Sequence, residues 1–521
     1  MDAILGAIEW LNSTTAGASD VILNITNTIW TYFLFAALII VGLIITIWTR
    51  GIQFRGLGEM FRTLKDPAGT EQDGSKGISA FRAFTVSAAS RVGTGNIAGV
   101  AIAITMGGPG AVFWMWVIAS VGAASAFAES LLGQLYKERG KDSYIGGPAY
   151  YMKRGLNAKW LGLIFVAFIV VTYAFVFVAV QTNAIVDATS TSFGVDVTGT
   201  NGMGYRLLVG VIIMALTAAI IFGGIRTISS VTEWLVPVMA VLYVGLGLLV
   251  VILNIGAIPG MIVEIVQGAF GIREFGVGGL MGALLWGMKR GLLSNEAGMG
   301  TAPNAGATAV VSHPAKQGFV QSLGVYFDTI LICSITAFVV LIYKPEYGVE
   351  AQGASLTQTA LASELGGWAV HFLSIAITLF AFSSIIGNYY YGESNIRFVT
   401  ESRVPMFIFR VIVLFFVFFG AIASLNLLWN TADLLNAGMV VVNLTAVMLL
   451  MPKVIKVLKN YEAQRKAGKE PVFHREDLPE ANLAAWDGRD EIASNEFWET
   501  RALQIVEAKE AKQQARDSRR S

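Results

Sequence analysis

Two apolar stretches of membrane-grade helix, 80–86 and 100–106, are joined by Ser87-Ala-Ala-Ser-Arg-Val-Gly-Thr-Gly-Asn-Ile-Ala-Gly99, whose centre is a poor helix. Gly93 and Gly95 sit two apart, with Thr94 between them and Asn96 after. Glycine costs about 1 kcal/mol against alanine inside a helix, so a pair in mid-span invites unwinding. Within a bilayer, irregular backbone survives only where protein buries it or a wet cavity receives it. An opened helix then points the N–H groups of its second half and the carbonyls of its first half into that cavity. The former attract an anion and the latter a cation. A chain with such a break is expected to be a polytopic helical protein that binds a zwitterion beside an ion.

Composition agrees about the solvent. Of 521 residues 55% are hydrophobic and only 14% charged, against about a quarter charged in a soluble protein, and the mean hydropathy is +0.61. A net charge of +1 gives no nucleic-acid signal. The single cysteine, Cys333, excludes a disulfide framework. The three histidines are far apart and form no metal or catalytic motif, so no enzyme is expected. The N-terminus lacks the basic region of a cleaved signal peptide.

Apolar runs at 29–49, 80–106, 111–135, 161–185, 207–222, 228–253, 278–300, 321–342, 368–391, 407–423 and 434–451 give about eleven spans of bilayer length. Basic residues gather on alternate connections, which places the N-terminus outside and the C-terminus in the cytoplasm of a plasma membrane, a bacterial inner membrane. The chain divides into an external segment 1–27, an extra helix 28–50, five-helix repeats at 78–254 and 277–451, and a charged cytoplasmic tail 452–521. The tail reads as solvated, partly helical or disordered, with a regulatory role as the alternative. Each repeat opens on a Gly-rich helix, and five is odd, so the second enters from the opposite face. Interrupted helices at matching places in inverted repeats point to a transporter's binding site.

At the first break, the free N–H groups of Thr94, Gly95 and Asn96, with the Thr94 hydroxyl, suit an amino-acid carboxylate. The Asn96 amide oxygen suits a cation or the substrate. A GxxxG packing face would explain Gly95 and Gly99, but neither Gly93 nor the polar pair. The second break lies at 287–291 or 294–298, and the residues leave both open. There, Trp286 is expected to wall the substrate, with Ser294 and Asn295 meeting its amino group. Lys289, Arg290 and Glu296 are costly at mid-depth and are expected nearer the cytoplasmic side, paired as a gate or network. Gln181 lines the cavity or bonds helix to helix. Asp328 and Glu129 are relays or, more commonly, carboxylates paired to a neighbouring helix. Ser383 and Ser384 offer a small hard cation two neutral hydroxyls, or bond their own helix.

Gly107-Gly-Pro-Gly-Ala-Val-Phe-Trp-Met-Trp-Val-Ile-Ala-Ser-Val-Gly122 resembles the signature of the alanine or glycine:cation symporter family. Gly93-Thr-Gly-Asn-Ile-Ala-Gly99 and Gly291-Leu-Leu-Ser-Asn-Glu-Ala-Gly-Met-Gly300 are similar to its other characteristic stretches, and the likeness covers 28–450. It implies a leucine-transporter-type fold of five plus five inverted helices, with the first and sixth core helices discontinuous and one extra N-terminal helix. It also implies Na⁺-coupled uptake of a small neutral amino acid, alanine or glycine, with D-alanine and glutamine associated with some relatives. In that fold the central Na⁺ is shared with carbonyls before the first break, which carries over to Ala89 and Val92 with Ser383 and Ser384. The stretch Gly387-Asn-Tyr-Tyr-Tyr-Gly-Glu393 departs from the family's Gly-Trp-x-Tyr-Tyr-Gly-Glu, so Asn388 enlarges or polarises the pocket. A proton-coupled carrier is the nearer rival and an ion channel the distant one. No obligate protein partner is evident.

Overall fold

The computed structural model describes residues 25–26, 28–70, 76–197, 200–273, 278–348, 353–423, 425–501 and 503–504. Almost all of segment 1–27 and the tail beyond 504 lie outside the described residues. The described chain is mostly helical with connecting loops, and carries one two-stranded ribbon, Glu138–Arg139 with Tyr144–Ile145. In chain order, α1 is Phe35–Trp48, α2 Leu57–Leu64, α3 Ala80–Arg91, α4 Ala98–Gly107 and α5 Gly110–Leu135. They are followed by α6 Lys159–Phe193, α7 Thr200–Ile221, α8 Gly224–Leu253, α9 Ile258–Ala269, α10 Gly279–Asn295 and α11 Ala302–Gly306. The last are α12 Pro314–Tyr343, α13 Gly353–Leu365, α14 Trp368–Val399, α15 Arg403–Gly420 and α16 Leu425–Lys466. Eight helices among the described residues are long and apolar enough to cross a membrane. The other three expected runs are α1 and the two interrupted pairs, α3/α4 and α10/α11.

Helix α5 serves as a ruler, since its 26 residues span about 39 Å at 1.5 Å per residue. A Cβ on Gly287 would lie 2.3 Å from the Ala111 carbonyl oxygen, and one on Gly291 2.7 Å from Ile118. These two glycines let α10 press onto α5 and do not break it. Helix α10 ends beyond them, where Glu296, Gly298 and Gly300 take positive φ of 57°, 82° and 79°. Ala297 faces Gly122, halfway along α5. Of the two places open in the sequence, 294–298 is near the true break and 287–291 is not.

Every N–H group from Glu296 to Gly300 in the unwound segment has an acceptor. Gly298 and Gly300 donate their N–H groups to the Glu129 carboxylate at 3.3 and 3.0 Å. Asn443 donates to both Glu129 and the Gly298 carbonyl at 2.8 Å. Glu129 is therefore a carboxylate that holds backbone, and Asn443, missed in the sequence, is its partner. A lone amide inside an apolar run was the available signal.

As far as residue 501, the tail is helix and packed chain rather than solvated coil. Helix α16 has 42 residues, about 63 Å, twice the thickness of a hydrocarbon core, so its end projects past the bilayer. Beyond it the chain returns across the ends of the other helices. Phe473 donates to Ser312 at 2.9 Å, Trp486 Nε1 to the Leu135 carbonyl at 3.1 Å, and Arg139 to Asp487 at 3.0 and 2.8 Å. The anchors Phe473, Leu478, Trp486 and Ile492 are buried. They are spaced too irregularly to show a helical or strand period, and so a polar average concealed them.

Removing the Glu129 acceptors strands two buried N–H groups, each costing about 1–3 kcal/mol. Glu129→Ala is expected to lower the thermal midpoint in detergent steeply and Glu129→Gln less, because one acceptor remains. The tail face carries its own pH dependence. His313 is enclosed by Tyr461 and Phe473, and burial pushes its pKa from 6.5 down to about 3. Between those values the unfolded chain binds more protons, so docking is intact above 6.5 and weakens as pH falls through that window. Limited proteolysis of segment 470–495 should accelerate on acidification, and less so in His313→Gln.

Candidate functional site

Helix α3 begins on Ser79, whose hydroxyl accepts from Arg82 N at 3.1 Å, and opens at Val92, where ψ swings to 86°. A single turn, Thr94–Asn96, separates it from α4. A Cβ on Gly93 would sit 2.4 Å from Ser384 Oγ and 3.1 Å from Gln181 Nε2, so any larger residue there would displace those two side chains. At Gly95 and Gly99 a Cβ would meet Ser294 Cα at 3.9 Å and Arg290 Cδ at 3.8 Å, both ordinary van der Waals distances. A GxxxG packing face needs glycine because a neighbouring backbone presses closer than a Cβ allows, and neither of these two meets that condition.

Four groups singled out from the sequence converge beside Gly93. Ser384 Oγ lies 2.9 Å from the Ala89 carbonyl oxygen and 3.4 Å from that of Val92. Ser383 Oγ lies 3.4 Å from the Ala89 oxygen, and also donates to Phe380 of its own helix at 2.8 Å. All four residues are buried. This cluster of neutral oxygens has the donor chemistry of a small hard cation, and needs no fixed anion. Among the described residues no group of three or more His, Cys, Asp or Glu could hold a metal.

Next to it lies a cavity of about 20 Å³, room for a water. Gly93, Gly95, Gln181 and Asn388 line it with Tyr173, Phe177, Arg290 and Trp429. Gln181 Oε1 accepts from the Thr94 N–H at 3.3 Å, and Ser90 donates to Asn388 Oδ1 at 2.5 Å. The Thr94 hydroxyl and the Nε and Nη1 groups of Arg290 are buried without a hydrogen-bond partner. Orphaned polar groups at such depth mark a place where a ligand or water belongs.

The remaining expected substrate residues point elsewhere. Asn96 turns its Nδ2 to Asp328 at 2.6 Å and its Oδ1 to the Gly93 N–H at 3.0 Å. Ser294 donates to Asp328 at 2.7 Å. Asn295 bonds Thr329 and the Ala297 N–H at 3.2 and 3.0 Å, tying the second break rather than facing the cavity. Trp286 does not line the cavity either. Its ring lies 5.5 Å from the Arg290 guanidinium and 5.8 Å from Lys289, and its Cβ borders Gly107.

Lys289 and Arg290 correct another expectation. On the α5 ruler they lie between the break and Gly110, on the side away from the tail. Lys289 pairs with Asp433 at 2.6 Å, both buried, and Arg290 stacks on Trp429 at 5.0 Å. The ion pair and the rings compensate the cost of charge at that depth. Glu296 stays at the break, accepting from Thr301 at 2.8 Å and from Ser90 at 3.3 Å.

Comparison with known proteins agrees with this geometry. The chain is 47% identical over 469 residues to the amino-acid carrier protein AlsT of Bacillus subtilis, covering 90% of this chain and 97% of that one. It is 45% identical to the probable sodium/glutamine symporter GlnT of the same organism, covering 90% and 96%. It is 39% identical to the sodium/alanine symporter AgcS of Methanococcus maripaludis, covering 75% and 85%. Among solved structures, MhsT in complex with L-phenylalanine superposes with a TM-score of 0.53 at 15% identity, covering 80% of this chain and 94% of that one. That likeness gives the leucine-transporter-type fold. Residues 15–475 match the sodium:alanine symporter family, and the chain belongs to that family of Na⁺-coupled membrane transporters, which are not enzymes.

Proposed function

We propose that the chain imports a small neutral amino acid, alanine or glycine first, by Na⁺-coupled alternating access across a bacterial inner membrane. In this reading the N-terminus faces out and the tail lies in the cytoplasm. The observation that carries it is the meeting of Ser383 and Ser384 on α14 with the Ala89 and Val92 carbonyls that the opening of α3 sets free. Na⁺ bound there joins α14 to the end of α3 and orders Gly93–Asn96. The N–H groups of that turn then receive the amino-acid carboxylate, and Gln181, Asn388 and the aromatic wall surround the rest. On the outer side, Arg290 between Trp286 and Trp429 and the Lys289–Asp433 pair form the closure that parts to admit substrate. On the inner side the cavity opens when α3 and α10 tilt together. A membrane potential of 100 mV supplies about 2.3 kcal/mol per charge. A tenfold Na⁺ gradient adds about 1.4 kcal/mol, so one ion sustains a few-hundredfold accumulation.

Two observations favour narrower alternatives. Asn388 and the unbonded Arg290 groups make one wall of the cavity polar, which suits a carboxamide side chain and hence glutamine. Asp328, buried and bonded to Asn96 and Ser294 beside the break, suits a proton as a coupling ion.

Radiolabelled alanine uptake into proteoliposomes, driven by inward Na⁺ or choline gradients at fixed pH and competed with glycine, D-alanine and glutamine, tests all three. Na⁺-dependent uptake blocked by glycine or D-alanine is expected. Block by glutamine alone selects the polar-wall reading, and uptake indifferent to Na⁺ but driven by a pH gradient selects the proton. Ser384→Ala removes one ligand and is expected to raise the Na⁺ concentration for half-maximal uptake about tenfold, the effect of about 1.4 kcal/mol. Gly93→Ala is expected to abolish uptake, because its methyl group occupies the place of Ser384 Oγ.

A further inference from the structure

On the tail face, a second cavity of about 770 Å³ opens between α2 and the returning tail. Phe61 and Trp498 form apolar walls, and Lys65, Lys469 and Arg501 stand around it. The charges on these walls are unevenly committed. Lys316, fully buried, takes Asp66 at 2.7 Å and Glu470 at 2.5 Å. Glu470 also takes Arg62 at 2.8 Å, and Glu59 takes Arg465 at 3.0 Å. Burial works against the Glu470 carboxylate, yet Lys316 and Arg62 together hold its pKa below the ordinary carboxylate value, so its charge is spent on them. Lys65, Lys469 and Arg501 have no carboxylate or hydrogen-bond partner among the described residues, and Glu499 is the one uncommitted acid on the walls.

Three uncommitted cations thus line one space against a single uncommitted acid, Glu499, and leave an excess of positive charge for an anion to neutralise. The height of the cavity says which anions reach it. Helix α2 follows closely on the end of α1, and its outer face exposes Leu57 and Phe61, 42% and 57% accessible, beside Phe54 at 54%. An amphipathic helix with such a face lies in the membrane interface, at headgroup level, and a basic pocket there attracts anionic headgroups.

We propose that this cavity binds a phosphate group, carried by the headgroup of an anionic phospholipid or free in solution, held by Lys65 at the C-terminal end of α2 and by Lys469 and Arg501 of the tail. Because its ligands come from both elements, the phosphate ties the tail to α2 and strengthens the strap over the tail-side ends of α5 and α12. The inference does not rest on the transport reading, since neither the cation cluster nor the cavity at the broken helices takes part.

The test is the thermal midpoint of the full-length protein in phosphate-free detergent, with four additions at matched ionic strength. These are short-chain phosphatidylglycerol, phosphatidylcholine of the same chain length, inorganic phosphate, and NaCl alone. Phosphatidylglycerol is expected to raise the midpoint by a few degrees where phosphatidylcholine and NaCl do not, and Lys65→Gln/Lys469→Gln/Arg501→Gln is expected to lose that rise. The same rise with inorganic phosphate identifies free phosphate as a source, and its absence assigns the site to lipid. Equal effects of phosphatidylglycerol and phosphatidylcholine, no effect of either phosphate probe, or a rise that survives in the triple variant overturns the proposal. The three side chains carry no structural bond, so the variant is expected to fold, and Lys65→Gln alone gives a partial loss if it does not.

Discussion

Everything around the centre of this protein answers one constraint: a helix opened inside a bilayer leaves backbone groups that water cannot reach. Each such group costs several kcal/mol if left alone. The structure opens two helices and provides for both, in different ways. At the second break the partners are a carboxylate and an amide, Glu129 and Asn443, which grip Gly298 and Gly300 through several bonds. At the first break the partners of the backbone are neutral: Asn96 Oδ1 accepts the Gly93 N–H at 3.0 Å, Gln181 Oε1 the Thr94 N–H at 3.3 Å, and Ser384 donates to the Ala89 and Val92 oxygens at 2.9 and 3.4 Å. Charge-assisted bonds are about twice as strong as neutral ones. The backbone of the second opening is therefore held more firmly than that of the first.

That asymmetry also explains which parts of the centre were legible in the sequence. Gly93-Thr-Gly-Asn96 could be read because a polar, glycine-paired turn in an apolar run has few other uses. The second break could not be placed, because glycine serves two purposes there. Gly287 and Gly291 give α10 its close approach to α5, while Gly298 and Gly300 supply positive φ, and the sequence does not distinguish them. With the break open between 287–291 and 294–298, the side chains of that helix could not be assigned to faces. Trp286 stands beside Gly107 and Arg290, off the cavity, and Ser294 and Asn295 turn to Asp328 and Thr329. Ser383 and Ser384 alone read equally as cation ligands or as serines bonded to their own helix. Family resemblance supplied Ala89 and Val92, and the geometry brings the four together.

Long-range pairing accounts for the other misjudgements. Lys289 and Asp433 are 144 positions apart, and only their meeting at 2.6 Å makes the depth of the lysine tolerable. Lys316 is buried because Asp66 and Glu470, from opposite ends of the chain, both reach it. The tail illustrates the same limit through packing, since each of its scattered anchors fills a gap left by elements hundreds of residues earlier. Local periodicity reports one helix and its own faces. It cannot report a partner brought in by the fold.

Two of the widened helical turns bear directly on the site and had no sequence signal. Val170–Phe177 within α6 and Tyr326–Cys333 within α12 are π-helical, a local expansion found mostly at functional positions. The first carries Tyr173 and Phe177 to the cavity wall, and the second carries Asp328 and Thr329 to the two breaks. Each wide turn changes the angle at which the following residues leave the helix, so that Gln181, one turn beyond the first, reaches the Thr94 N–H. One wall of the cavity is thus set by a widened turn, through Tyr173 and Phe177, while Glu129 and Asn443 hold the backbone of the second break in place.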